Sequence, residues 1–134
     1  MSIEVFQPES VFRPTAYARA VRIGNTLFLA GQTPRNLDGS TAAPGDIRGQ
    51  ADKVFENLQK VLEECGSSLD LVGKLTVYMT SYEYRTAISE VRARVFASVG
   101  RPCASTTVVI SSLMNPEWMV EVEAVAGLKD APPD

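Results

Sequence analysis

The sequence predicts a single α+β domain in which a mixed β-sheet carries two helices on one of its faces. Three observations lead there. The length of 134 residues is that of one domain. Two segments repeat their apolar residues at steps of three and four, and the rest of the ordered chain alternates apolar and polar residues in strand fashion. The resulting order is ββαβαββ, and two helices cover only one face of a sheet that wide.

The first strands are Tyr17 to Ile23 and Thr26 to Ala30, joined by Gly24-Asn25, a pair that tolerates positive φ and so closes a hairpin. A short additional strand is expected at Ile3 to Phe6. Gln32-Thr33-Pro34 ends the hairpin, and Asp38-Gly39 and Pro44-Gly45 mark a surface loop. Asp46 is then an N-cap for a helix whose single apolar face is Ile47, Ala51, Val54, Phe55, Leu58, Val61, Leu62 and Cys65, with Gly66 as its stop.

From Leu71 to Thr80 the period is two, placing Leu75, Val77 and Met79 on one face and Thr76, Tyr78 and Thr80 on the other. A second helix buries Ile88, Val91, Val95 and Val99 and is expected to end at Gly100, before Pro102. Strands at Ser105 to Ile110 and Trp118 to Ala126 complete the domain. Residues 1–128 form the domain, and 129–134 read as a frayed tail.

Composition removes much of the usual chemistry. There is no histidine, which excludes Ser-His-Asp and Cys-His nucleophiles and His-ligated metals. Cys65 and Cys103 are too few for a structural zinc site and are read as reduced thiols. Any acid or base is therefore Glu, Asp, Tyr, Lys, a terminus or water. The net charge of −3 and the pI near 5.0, with basic residues spread thinly, argue against nucleic acid, whose binding needs clustered Lys and Arg. No apolar run approaches the roughly 20 residues of a membrane span and no basic-then-apolar leader opens the chain, so a cytoplasmic protein is expected.

The sheet face away from the helices holds Thr76, Tyr78, Thr80 and half of Ser105 to Ile110. It is too apolar for open water and too polar for a tight core. Burial against other copies of the same sheet resolves this, so a symmetric homo-oligomer is expected.

Several segments together carry a resemblance. Tyr17, Val21, Gly24-Asn25 and Ala30-Gly31-Gln32-Thr33-Pro34, then Gln50 and Asn57 before Gly66, then Val120-Glu121-Val122-Glu123-Ala124-Val125-Ala126, resemble the reactive-intermediate deaminase family (RidA, also called YjgF or L-PSP-like) over nearly the whole chain. The resemblance implies a chorismate-mutase-like fold, a homotrimer built as a trimeric barrel, and a small-molecule ligand in each inter-subunit cleft. It also implies hydrolysis of enamines and imines to a carbonyl and ammonia without cofactor or metal.

Residue by residue, Glu121 matches the family's cleft glutamate, which orients or activates water and handles the proton on nitrogen; the alternative is that Glu121 and Glu123 form a solvated edge. Tyr17 matches a cleft tyrosine, or is interface packing. Gly31 fits a close approach of backbone to ligand. Ser105 stands where the family has the arginine that pairs with a substrate carboxylate, and Ser89 stands for an asparagine on the second helix. Ser105 and Thr107 alternate onto one strand face and are candidate hydrogen-bond donors to ligand. Arg19, read as sharing a strand face with Tyr17, is the first candidate to replace the missing arginine, and Arg101 the second. Three readings follow: a deaminase of altered substrate, a binding protein of the same fold without turnover, and an endoribonuclease, which the acidic charge and missing histidine oppose.

Overall fold

The computed structural model describes residues 2–130. Its elements are β1 (Ile3–Phe6), β2 (Ala20–Ile23), β3 (Thr26–Gln32), α1 (Ile47–Glu64), β4 (Val72–Met79), α2 (Arg85–Val95), β5 (Ala104–Val109) and β6 (Val120–Gly127), with short 3-10 turns at Leu69–Leu71 and Tyr82–Tyr84. The expected order is observed. One six-stranded sheet runs β1-β2-β3-β6-β4-β5, antiparallel except for the parallel β4·β5 pair. Because β6 is antiparallel to both β3 and β4, the β3-α1-β4 and β4-α2-β5 connections are both parallel crossovers, which need a helix to span them.

Local chemistry accounts for most boundaries. The hairpin turns at Gly24 (φ +61°), the glycine-first arrangement that matches strand twist. Asp46 caps α1 by accepting from the Arg48 and Gly49 N–H groups, and Gly66 (φ +82°) follows the C-cap residue Cys65. The buried face of α1 packs Val54, Phe55, Leu58, Val61 and Leu62 onto Leu27, Leu75, Val77, Val120 and Val122. Replacing the fully buried Phe55 by alanine would cost about 3–5 kcal/mol. Cys65 lies in this core and Cys103 is half-buried, both free; burial pushes the Cys65 thiol up to about 11.

Two expectations are corrected. The second helix ends at Val95, not near Gly100: the Phe96 N–H caps it, and Ala97 and Val99 close further turns, leaving Val99 half-buried beyond the helix. Phe96 meets Phe55 edge-on at 6.3 Å, and that contact fixes the turn. Next, β2 begins at Ala20, so Tyr17 and Arg19 precede it, on a strap held by Gln7, whose amide donates to the Tyr17 carbonyl (2.8 Å) and accepts from the Arg19 N–H (3.1 Å). The Lys129 N–H donates to the Gly66 carbonyl at 2.9 Å, and of the expected tail residues 131–134 lie outside the described residues.

The face away from the helices is ordered by register. One cross-sheet row is Val5, Val21, Phe28, Val125 and Lys74; a second is Glu123, Thr76 and Thr106; a third is Glu121, Tyr78 and Val108. Val5 (63%) and Phe28 (44%) are exposed on it. Among the described residues no helix is long and apolar enough to cross a membrane.

Candidate functional site

The site begins at a defect in the sheet. Between Leu29↔Ala124 and Gln32↔Val122 the β3·β6 ladder shifts, so Ala30 and Gly31 together oppose Glu123. Such a bulge re-aims neighbouring side chains. Here it sets Gly31 against the Glu121 side chain so closely that a Cβ on residue 31 would overlap the carboxyl group. Gly31 is therefore needed for the room it leaves to Glu121, a different reason from close approach to ligand.

Glu121 is not on an edge, since β6 lies between β3 and β4 in the middle of the sheet. Burial raises its carboxyl above the ordinary glutamate range, the neighbouring Glu123 charge adds to this, and Arg19 opposes it. Glu123 accepts a hydrogen bond from the Tyr78 hydroxyl, which is paired in register with Glu121. The two glutamates thus differ: Glu123 has a partner, and Glu121 opens into space.

That space is a cavity of about 720 Å³ lined by Tyr17, Gly31, Thr33, Arg35, Trp118 and Glu121, with Met114 to Pro116 on its rim. Two polar residues on the buried side of α1 hold its walls. The Asn57 amide donates to the carbonyls of Thr33 (3.0 Å) and Arg35 (2.9 Å). The Gln50 amide donates to the Glu117 carbonyl (2.9 Å) and accepts from the Met119 N–H (2.8 Å). Buried amides in these places act as struts, fixing loops that have no sheet partner of their own.

The cavity brings together Tyr17, Gly31 and Glu121. It does not bring in Ser105 or Thr107, which pair with Leu75 and Val77 and so share the helix-side face, across the sheet from Glu121. The Ser105 hydroxyl is taken by Arg92 of α2 (2.8 Å), whose guanidinium also reaches the Cys103 sulfur (3.6 Å). Arg19 is corrected as well: it is buried (1% exposed) while Tyr17 is exposed (46%), so the two share no face, and its Nε is spent on the Phe12 carbonyl at 2.8 Å. Arg101 donates to the carbonyls of Asp70 and Val72, at the start of β4.

Residues to which the sequence reading assigned no role in a site are Arg35, Thr33 and Trp118. The guanidinium of Arg35 lies 4.1 Å from the Phe12 ring centroid and 5.1 Å from that of Trp118. Two signals pointed there: Arg35 directly follows the Gly31-Gln32-Thr33-Pro34 match, and Asn57 on the buried face of a helix needed loop carbonyls to bind.

Fold and site define a small α+β domain with a carboxyl-bearing pocket beside a sheet bulge. The chain belongs to the family described as endoribonuclease L-PSP, whose model matches residues 10–128 and which takes in the RutC, RidA and YjgF proteins. It is 35% identical to a RutC family protein of Pyrococcus abyssi over 94% of this chain and 98% of that one. A 2-iminobutanoate/2-iminopropanoate deaminase of Dermatophagoides farinae is 31% identical over 81% of this chain and 83% of that one. Among solved structures, the Rid-family protein YyfA of Yersinia pestis superposes with a TM-score of 0.89 at 26% identity, covering 95% of this chain and all (100%) of that one.

Proposed function

We propose that the chain is a cofactor-free deaminase that hydrolyses an imine, or the enamine that tautomerises to it, to a carbonyl compound and ammonia. The observation that carries this reading is Glu121, a carboxyl with a raised pKa, held open by Gly31 and facing a cavity large enough for a small metabolite. The similarity to a deaminase of 2-imino acids supports it.

The chemistry asks little of the protein, because an imine carbon is already electrophilic. Glu121 as carboxylate accepts a proton from water as the oxygen adds to carbon and passes it to the nitrogen, giving R₂C(OH)NH₂. The same group then accepts the hydroxyl proton as the C=O bond forms and delivers it to nitrogen as the C–N bond breaks, so that R₂C=NH and H₂O become R₂C=O and NH₃. A carboxyl raised toward neutrality serves both halves. Tyr17, which lines the cavity, would hydrogen-bond the substrate.

The reading includes a symmetric trimer, working inside the cell, with the row of Val5, Val21 and Phe28, exposed at Val5 and Phe28, covered by other copies. In such an assembly Ser105 and Thr107 of one copy would complete the cleft of another. A ribonuclease reading gains nothing from a site without histidine in a chain of net charge −3.

The test is ammonia release from 2-iminobutanoate generated in place, with parent protein and with Glu121→Gln. Acceleration by the parent and its loss in the variant are expected. If the parent gives no acceleration while thermal shifts show ligand binding, the chain is a binding protein of this fold without turnover.

A further inference from the structure

The lining of the cavity carries unpaired positive charge as well as the Glu121 carboxyl. Among the described residues the Arg35 side chain has no hydrogen-bond or ion-pair partner, and its Nε is both buried and unsatisfied. Beside it, Arg19 is buried with its Nη1 unsatisfied, and the Thr33 hydroxyl, on a residue only 4% exposed, is unsatisfied too. Buried polar groups are nearly always paired, and an unpaired one carries a full desolvation cost. Two of these three groups belong to residues that line the cavity, Thr33 and Arg35, and Arg19 lies close enough to feel the charges of Arg35 and Glu121.

Their chemistry agrees. Each is a hydrogen-bond donor, and two belong to cations. Arg35 lies over the Phe12 ring and near the Trp118 ring, which fixes its plane and leaves its edge free. Its Nε is buried, so the two Nη groups, without a partner among the described residues, are the edge that receives a carboxylate through two parallel hydrogen bonds. Among the described residues the only carboxyl lining the cavity is Glu121, and it is not within ion-pair distance of either arginine.

We propose that Arg35 is the specificity-determining residue of this pocket, binding the carboxylate of the ligand through its Nη groups, with Arg19 as a buried charge behind it. Where the deaminase reading holds, on which this part rests, the substrate class is a 2-imino acid and not a neutral imine. The ligand's anionic end is then held from the loop after β3, on the same chain as Glu121, and not from β5.

The test uses calorimetric titration of the full chain with 2-oxobutanoate, the carbonyl product of 2-iminobutanoate, and with its neutral amide. Arg35→Met is expected to weaken 2-oxobutanoate binding about tenfold or more and to leave the amide unaffected. Arg13→Met, the same charge change at an exposed arginine, is expected to bind like the parent. Should Arg35→Met not fold, Arg35→Lys decides, because it keeps the charge and loses the fork: carboxylate affinity falls severalfold with the amide unchanged. A parent that binds no 2-oxobutanoate, or a folded Arg35 variant that binds it like the parent, overturns the proposal. Ammonia release reports separately: Arg35-dependent binding without turnover leaves this proposal standing and removes the deaminase, while turnover with a KM indifferent to Arg35 does the reverse.

Discussion

The Glu121 carboxyl occupies the space that a side chain at residue 31 would need. The atoms in conflict are the far end of a flexible side chain, so a methyl group there moves Glu121 and leaves the backbone in place. Gly31→Ala is therefore expected to fold with a melting temperature close to the parent's and to lose tenfold or more of its ammonia release. Circular dichroism and the iminobutanoate assay check the pair of outcomes; a folded Gly31→Ala of full activity would detach Glu121 from the reaction.

Glu121 also makes stability depend on pH. Its folded pKa is raised above the ordinary 4.5, by burial first and Glu123 second. The folded state then binds more protons than the unfolded state above that value, so stability falls as pH rises from about 4.5 through the folded pKa. Glu121→Gln removes this slope. Thermal melts should find the variant more stable than the parent at neutral pH, with the advantage vanishing below about pH 4.

Asn57 carries two wall carbonyls at once. Asn57→Ala leaves the Thr33 and Arg35 carbonyls without their donor and opens a small void in the packing of α1. A loss of about 1–3 kcal/mol in urea unfolding is expected. Ligand affinity should fall too, because the loop bearing Arg35 loosens.

The open face makes an assembly prediction. Light scattering should give three times the chain mass, and Phe28→Lys, which sets a charge in the middle of the apolar row, should lower it. A parent that runs as a monomer would leave the Ser105 and Arg92 face outside any cleft.

Much of the fold was legible because its signals are local. The face of α1, the Asp46 cap, the Gly24 turn and the alternation of β4 and β6 all depend on residues within a few positions of one another. The end of α2 was not legible, since Val99 keeps the helical spacing and only the contact of Phe96 with Phe55, far away in sequence, turns the chain aside. The site was half legible. Glu121, Gly31 and Tyr17 came from resemblance and do share one cavity, whereas Arg19 was misread because strand alternation was extended past the true start of β2.

The sequence by itself determined the elements, their order, the exclusion of histidine chemistry and the carboxyl that faces the pocket. Only the tertiary structure decided which donors surround that carboxyl. Arg35 and Trp118 are more than eighty residues apart in the chain and meet because Asn57 and Gln50 pin their loops from one helix. Ser105 and Thr107 turn away because parallel pairing with β4 sets their register. Register, bulges and the burial of a guanidinium are properties of pairing between distant segments, and no local pattern encodes them.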